Sequence, residues 1–132
     1  MKKFYLLFLL ITLALLAPWA VVQAEDITLS GNISRELEPG TTYNFFDSGG
    51  ASGSYSTSQN FTATFTCDGE ITINFSSFAT ESSSSCSAWD YMLIYDGDKS
   101  TGELLTRGQT GCSSNLSTGH DYVASSGTMT IE

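Results

Sequence analysis

The amino-acid sequence predicts an all-β fold, an antiparallel sandwich or barrel. Apolar and polar residues alternate over several short segments, the period of a half-buried strand. These segments are separated by turns rich in Gly, Ser and Asp. After residue 24 no segment has a convincing helical period. Short strands at close spacing, joined by such turns, are typical of antiparallel β architectures.

The clearest strand signals lie in the middle of the chain. The segment 60–67, NFTATFTC, and the segment 70–75, EITINF, each place apolar residues at every second position. Asp68-Gly69, between them, is a dipeptide typical of β-hairpins, so we expect these two strands to pair.

Other strands are predicted on both sides of this pair. The segment 90–95, DYMLIY, is apolar on both faces, as a central sandwich strand often is, and Asp96-Gly97 closes it. The segment 127–132, GTMTIE, alternates apolar residues with threonine. Weaker strand signals lie in 26–33, DITLSGNI, and 41–46, TTYNFF.

The first 24 residues have the pattern of a secretory signal peptide. Two lysines precede the apolar run FYLLFLLITLALL, and the small-residue pattern Val22-Gln23-Ala24 follows it. The run is shorter than the ~20 residues of a membrane-spanning helix. We therefore expect residues 1–24 to be removed and residues 25–132 to form one secreted domain with no membrane span.

The charge of residues 25–132 argues against a nucleic-acid partner. Three basic residues stand against 14 acidic ones, a formal charge of −11. Binding to phosphates depends on basic residues, so cations or a basic patch on another protein are better candidates. Acidity also serves simply to keep a secreted domain soluble.

The three cysteines predict one disulfide and one thiol left over. Secreted proteins keep disulfides, and an odd count leaves one cysteine free or paired elsewhere. Cys67 lies on an apolar strand face, where a small buried thiol is common. We expect Cys86 and Cys112 to pair, which would constrain the unfolded chain by about 3.5 kcal/mol.

The segment 78–98, FATESSSSCSAWDYMLIYDGD, suggests a cation site. Glu81 and Asp90 flank Cys86, and a disulfide there would hold Asp90 at the strand's mouth, with Glu81 folded back toward it. Two carboxylates about 4 Å apart repel by roughly 4 kcal/mol at an effective dielectric near 20. Calcium, which prefers oxygen ligands, would remove the conflict. From spacing alone, two solvated loop acids remain the simpler interpretation.

Residues 43–132 resemble a CUB domain, an extracellular module with a jelly-roll β-sandwich fold. The resemblance rests on ITINFSSFATE, CSAWDYMLIYDG and GQTGC, with DSGGASGSYSTSQNFTATF similar to the family's opening turn and first long strand. It implies that Glu81 and Asp90 are acidic calcium ligands and that Cys86–Cys112 is the family's second disulfide. It also implies that the calcium site docks a basic side chain of a partner protein.

The chain departs from the family pattern in three places. The family's first disulfide has no counterpart, and Phe61 stands near one of its positions. The tyrosine that assists the calcium site falls near Gln59, which leaves Tyr55 as a substitute. The loop and final strand that supply a third acidic ligand would follow TMTIE, so we expect the domain to be truncated at its C-terminal strand and to belong to a longer protein.

The resulting hypothesis is a secreted, non-catalytic interaction or adhesion module that binds Ca²⁺. The alternative is a carbohydrate-binding accessory module of a secreted hydrolase, in which Trp89 stacks on a glycan. Catalysis by His120-Asp121 with a serine lacks the support of a G-x-S-x-G motif. The segment DGDKSTGE starts like an EF-hand, but Thr101 occupies the required glycine position, so it is predicted to be a turn.

Overall fold

The structure is a computed structural model that describes residues 23–80, 90–106, 116 and 118–132. Within these residues all regular structure is β-strand, and no helix is present that is long and apolar enough to cross a membrane. The strands are β1 (Glu25–Thr28), β2 (Ile33–Glu36), β3 (Tyr43–Phe46), β4 (Ala63–Thr66), β5 (Ile71–Asn74), β6 (Ile94–Asp96), β7 (Glu103–Leu104), β8 (Asp121–Ala124) and β9 (Thr128–Ile131).

The largest sheet has five strands in the order β2-β4-β9-β6-β7. Its strands pair antiparallel except for β2 and β4, which are parallel. The register places Ile131 of β9 beside Ala63 of β4 and Ile94 of β6. The prediction of an apolar central strand in 90–95 is therefore confirmed for its second half, since β6 lies between β9 and β7.

Two smaller sheets each contain two strands. β1 and β3 pair in parallel, and β5 and β8 pair antiparallel. The chain changes sheets at Ser30-Gly31, between β1 and β2, so the single strand expected at 26–33 is in fact two strands in different sheets. The expectation of wholly antiparallel pairing is wrong for β1 and β2, because both add as parallel edge strands.

The predicted hairpin at Asp68-Gly69 is also wrong. β4 pairs with β2 and β9, whereas β5 pairs with β8 in another sheet. After β4, the Cys67 amide donates to the Gly127 carbonyl at 2.9 Å, so the chain remains bound to the start of β9 before it crosses over. Asp68-Gly69 reverses the chain as its composition indicates, but it joins two sheets instead of two neighbouring strands.

The core lies between the five-stranded sheet and the two smaller sheets. Its members come from both layers: Ile27, Ala63, Phe65, Ile71, Phe75, Ile94, Leu116, Tyr122, Ala124, Met129 and Ile131. Phe45 of β3 meets Phe65 of β4 edge to face, with ring centroids 5.7 Å apart. The fold is thus all-β with several sheets, as in a β-sandwich, and the predicted inward residues of 60–67 and 70–75 do contribute to its core.

Candidate functional site

Asp90 lies at one end of the sandwich, where several strands begin or end. Leu93, just before β6, exchanges backbone hydrogen bonds of 2.8 and 2.9 Å with Glu132, just after β9. Because β4 and β6 both run antiparallel to β9, the starts of β4 and β6 lie at this same end. A cavity of about 500 Å³, called here the mouth cavity, opens between them and is lined by Asp90.

The side chain of Asp90 is held by Tyr55. The Tyr55 hydroxyl donates to Asp90 Oδ2 at 2.6 Å in a partly buried position. The two residues are 35 positions apart, so the bond joins the β3–β4 connection to the entrance of β6. A bond this short to a carboxylate is a strong one, and it fixes which way one of the two oxygens faces.

The β3–β4 connection has its own polar links, which position Tyr55. Asp47 Oδ1 accepts from the Gly49 amide at 2.8 Å, a local turn. Ser48 Oγ donates to Gln59 Oε1 and accepts from the Ser56 amide at 3.3 Å. Small side chains that bond nearby backbone in this way favour a compact loop over a longer strand.

Further oxygen atoms line the mouth cavity. Asp47, Thr80 and Glu132, whose side chains carry oxygen atoms, are among the residues that line it. Thr80 Oγ1 is buried and has no hydrogen-bond partner in the described part of the chain. Buried hydroxyls normally have a partner, so this atom is suited to a polar ligand or to a group of the segment that follows it.

The basic residues that the structure describes bind acids other than Asp90. Arg35 donates to Glu25 at 2.6 Å, and its guanidinium lies 5.2 Å from the centre of the Tyr43 ring. Lys99 binds Glu132, whose side chain is only 10 % exposed. Hydrogen bonds from these side chains to Glu25 and Glu132, respectively, raise the pKa of Arg35 and of Lys99.

Most of the predicted site residues lie outside the described residues. These are Glu81, Cys86, Trp89 and Cys112, so the calcium pair and the disulfide stay predictions. Cys67 is described, and it is a half-buried free cysteine. Among residues 23–80, 90–106, 116 and 118–132, no group of three or more His, Cys, Asp and Glu side chains is arranged to hold a metal ion.

Asp96 has a structural role that the sequence did not reveal. Its Oδ2 accepts from the Ser125 amide and hydroxyl, both at 3.0 Å, and its Oδ1 accepts from the Ser126 amide at 3.0 Å. Hydrogen bonds from Ser126, and then from Ser125, lower the pKa of Asp96. Asp96 therefore ties the end of β6 to the β8–β9 turn. The Asp-Gly signature indicated a turn but not this distant partner.

The DGDKSTGE segment is a turn, as predicted. It connects the antiparallel strands β6 and β7, with Tyr95 opposite Leu104. Asp98 accepts from the Ser100 amide at 2.7 Å and from its hydroxyl, and these bonds lower the pKa of Asp98. The carboxylate is thus used within the turn itself.

His120 and Asp121 are engaged with neighbours on β5 and β8. The exposed His120 ring stacks edge to face on Tyr122, with centroids 4.7 Å apart. Asp121 Oδ1 accepts from Asn74 Nδ2 at 2.6 Å across the β5–β8 pair. These contacts give both residues roles in the packing of the small sheet.

Comparisons with known protein families, with curated proteins and with solved structures gave no match for this chain.

Proposed function

We propose that this protein is a secreted, non-catalytic interaction module of the CUB type, with a jelly-roll topology and a calcium site at the mouth cavity. The observation that supports it best is the 2.6 Å hydrogen bond from Tyr55 to Asp90. The resemblance assigns Asp90 to calcium and offers Tyr55 as the assisting tyrosine. The resemblance points to each residue separately, and the hydrogen bond between them brings them together at one place.

The oxygen chemistry around Asp90 suits a hard cation. Tyr55 holds Oδ2, and Oδ1 accepts no hydrogen bond within the described residues. Thr80 Oγ1, buried and without a partner there, immediately precedes Glu81. With Glu81 brought close by a Cys86–Cys112 disulfide, two carboxylates and a hydroxyl would offer the oxygen ligands that calcium prefers.

The same site would present negative charge to a partner protein. The basic side chains described in the structure bind Glu25 and Glu132, which leaves Asp90 with no internal ion pair among them. A lysine or arginine of a partner is therefore the natural counter-charge once calcium has made the site rigid. Such contacts at a rim weaken as salt increases.

Calcium titration followed by thermal unfolding tests the proposal. A ligand that binds only the folded state at 100 times its Kd adds about 2.7 kcal/mol to the free energy of unfolding. We expect calcium to raise the Tm of the wild-type protein, and Asp90→Asn or Glu81→Gln to remove most of the increase. Asp68→Asn, the same charge change at an exposed turn after β4, is the matched control.

Three results would count against this function. One is a Tm that calcium leaves unchanged in the wild-type protein. Another is an equal loss of the calcium effect in Asp68→Asn. The third is proteolytic mapping without reductant that recovers Cys86 and Cys112 as unlinked peptides.

A glycan-binding module is the second candidate, favoured by one observation. Tyr91, next to Asp90 in the mouth cavity, is 50 % exposed. An aromatic ring beside a polar cavity is suited to stacking on a sugar. It is the one large exposed aromatic among the described residues, so they do not form the row of rings that a flat glycan site needs. Glycan-array binding lost in Tyr91→Ala and Trp89→Ala, and unchanged by a chelator, would favour this candidate.

A further inference from the structure

The chain contains two Asp-Gly dipeptides, and the structure places them in different surroundings. Asp68-Gly69 lies in the crossover between β4 and β5, and Asp96-Gly97 lies at the end of β6. Such a pair is reactive because glycine has no side chain to shield its amide nitrogen from the preceding carboxyl group. Since the reacting residues are the same at both sites, a difference in their chemistry would come from the fold.

The reaction open to an Asp-Gly pair is the closure of a five-membered succinimide ring. The glycine amide nitrogen loses its proton and bonds to the side-chain carboxyl carbon of the aspartate, which loses an oxygen as water. Water then opens the ring at either carbonyl carbon. Opening at the side-chain carbonyl restores aspartate, whereas opening at the main-chain carbonyl gives isoaspartate, in which the chain continues through the former side chain. One water is released and one is consumed, so no other reactant is needed.

Asp68 and Gly69 are free to react in this way. Both residues are exposed. Within the described residues, neither the Asp68 carboxylate nor the Gly69 amide has a hydrogen-bond partner. A Cβ built on Gly69 would have no atom within 4 Å, so the space around its backbone is open. Ring closure at this site therefore requires no hydrogen bond to break first.

The residues on either side of Asp68-Gly69 are anchored. The Cys67 amide donates to the Gly127 carbonyl at 2.9 Å. The buried Ile71 starts β5 and lies opposite Ala124 of β8. Ring closure can therefore take place within the crossover while β4 and β5 keep their pairing.

Asp96-Gly97 is held at the atoms that the reaction needs. Both carboxylate oxygens of Asp96 accept hydrogen bonds from Ser125 and Ser126, and the Gly97 amide donates to the Thr128 carbonyl at 2.8 Å. Several of these bonds would have to open together before the ring could close. Ring closure also proceeds through the protonated carboxyl, and the hydrogen bonds from Ser126 and then Ser125 lower the pKa of Asp96, so this form is scarcer at neutral pH.

We propose that Asp68 is a site of slow isoaspartate formation in the folded protein, and that Asp96 is protected from the same reaction by its hydrogen bonds. Isomerisation at Asp68 adds one carbon to the main chain of the β4–β5 crossover and turns the former main-chain carbonyl into a free carboxylate. The net charge stays the same, while the connection between the five-stranded sheet and the β5–β8 pair becomes longer. The site thus carries a covalent change that accumulates with age at the junction of two sheets.

Ageing of the purified wild-type protein tests this proposal. The folded protein is kept at neutral pH, and samples taken over time are digested and analysed by mass spectrometry with electron-transfer fragmentation, which distinguishes isoaspartate from aspartate. Hydrogen bonds to a charged group must open at Asp96 but not at Asp68, so isoaspartate should accumulate at least about tenfold faster at Asp68. The succinimide, one water lighter than the parent peptide, should also be found at Asp68.

Two controls separate the effect of the fold from that of the local sequence. In urea, where the hydrogen bonds of Asp96 are lost, the two sites should isomerise at similar rates. Asp68→Glu keeps the negative charge but would have to close a less favourable six-membered ring, so isomerisation at this position should be lost. The wild-type experiment compares two sites in one molecule, so the test does not depend on the folding of the variant.

Three results would overturn the proposal. One is isoaspartate that forms equally fast at both sites in the folded protein. Another is a folded protein in which Asp68 stays unchanged over the time that the chain isomerises in urea. The third is the same preference for Asp68 in urea as in the folded protein, which would assign that preference to neighbouring residues in the sequence.

Discussion

The contact between Tyr55 and Asp90 predicts a measurable coupling energy. Tyr55→Phe removes the hydroxyl that donates to Asp90 Oδ2 at 2.6 Å, and Asp90→Ala removes the carboxylate that accepts it. Hydrogen bonds to charged groups contribute about 1.5–3 kcal/mol when buried. Because this pair is only partly buried, we expect the lower part of that range, about 1.5 kcal/mol.

A double-mutant cycle by urea unfolding at neutral pH, with EDTA present, measures this energy without any contribution from calcium. Each single variant and the double variant are compared with wild type. Tyr91→Phe, which removes a hydroxyl from the exposed neighbour of Asp90, is the control and should change stability little. Independent sites add to within about 0.5 kcal/mol, so a coupling below that value would show that Tyr55 does not hold Asp90.

Three further predictions concern the fold around the site. Ile94→Ala should lower the free energy of unfolding by about 2–5 kcal/mol in urea titrations, because this β6 side chain is fully buried. Gly127→Ala should lower the free energy of unfolding more than Gly119→Ala does in the same assay. Both glycines have φ near +75°, a region that is unfavourable for alanine, but only at Gly127 would the new Cβ lie 2.7 Å from a backbone carbonyl oxygen. Because the pKa of Asp96 is lowered in the folded protein, its stabilising effect is present above the unfolded pKa of the carboxyl and is lost as pH falls through the folded pKa. Asp96→Asn should therefore reduce the loss of stability that the wild-type protein shows as pH is lowered. An unchanged loss of stability at low pH would contradict this.

Alternation predicted the strands whose inward residues fill the core. It worked for 60–67, 70–75 and 127–132, because a strand with one buried face must repeat apolar residues with period two. It missed β8 (Asp121–Ala124), where the exposed Val123 breaks the pattern, and β7, which is only two residues long. β8 owes its pairing to β5, a neighbour that is distant in sequence, whereas β7 pairs with β6 across the short turn at 96–103.

The candidate site was predictable as a set of residues but not as a geometry. Asp90 and Tyr55 were each identified by their place in a motif, yet their hydrogen bond spans 35 positions. The sequence marks Asp96 only as the end of a strand, whereas its hydrogen bonds to Ser125 and Ser126 span 29 and 30 positions. Short-range patterns report backbone preferences within a few residues, and these contacts depend on which loops meet at one end of the sandwich.

The sequence by itself determined the all-β class, the alternation that separates core from surface, the acidic charge and the turn at 96–103. Only the tertiary structure decided which strand edges are paired. It sent β4 and β5 to different sheets, placed β1 and β2 as parallel edges, and left one edge of β3 and one edge of β5 without a partner strand among the described residues. The physical reason is that side-chain alternation determines which face of a strand is buried, whereas every strand edge carries the same N–H and C=O groups. Which strands pair is therefore decided by how the whole sandwich packs.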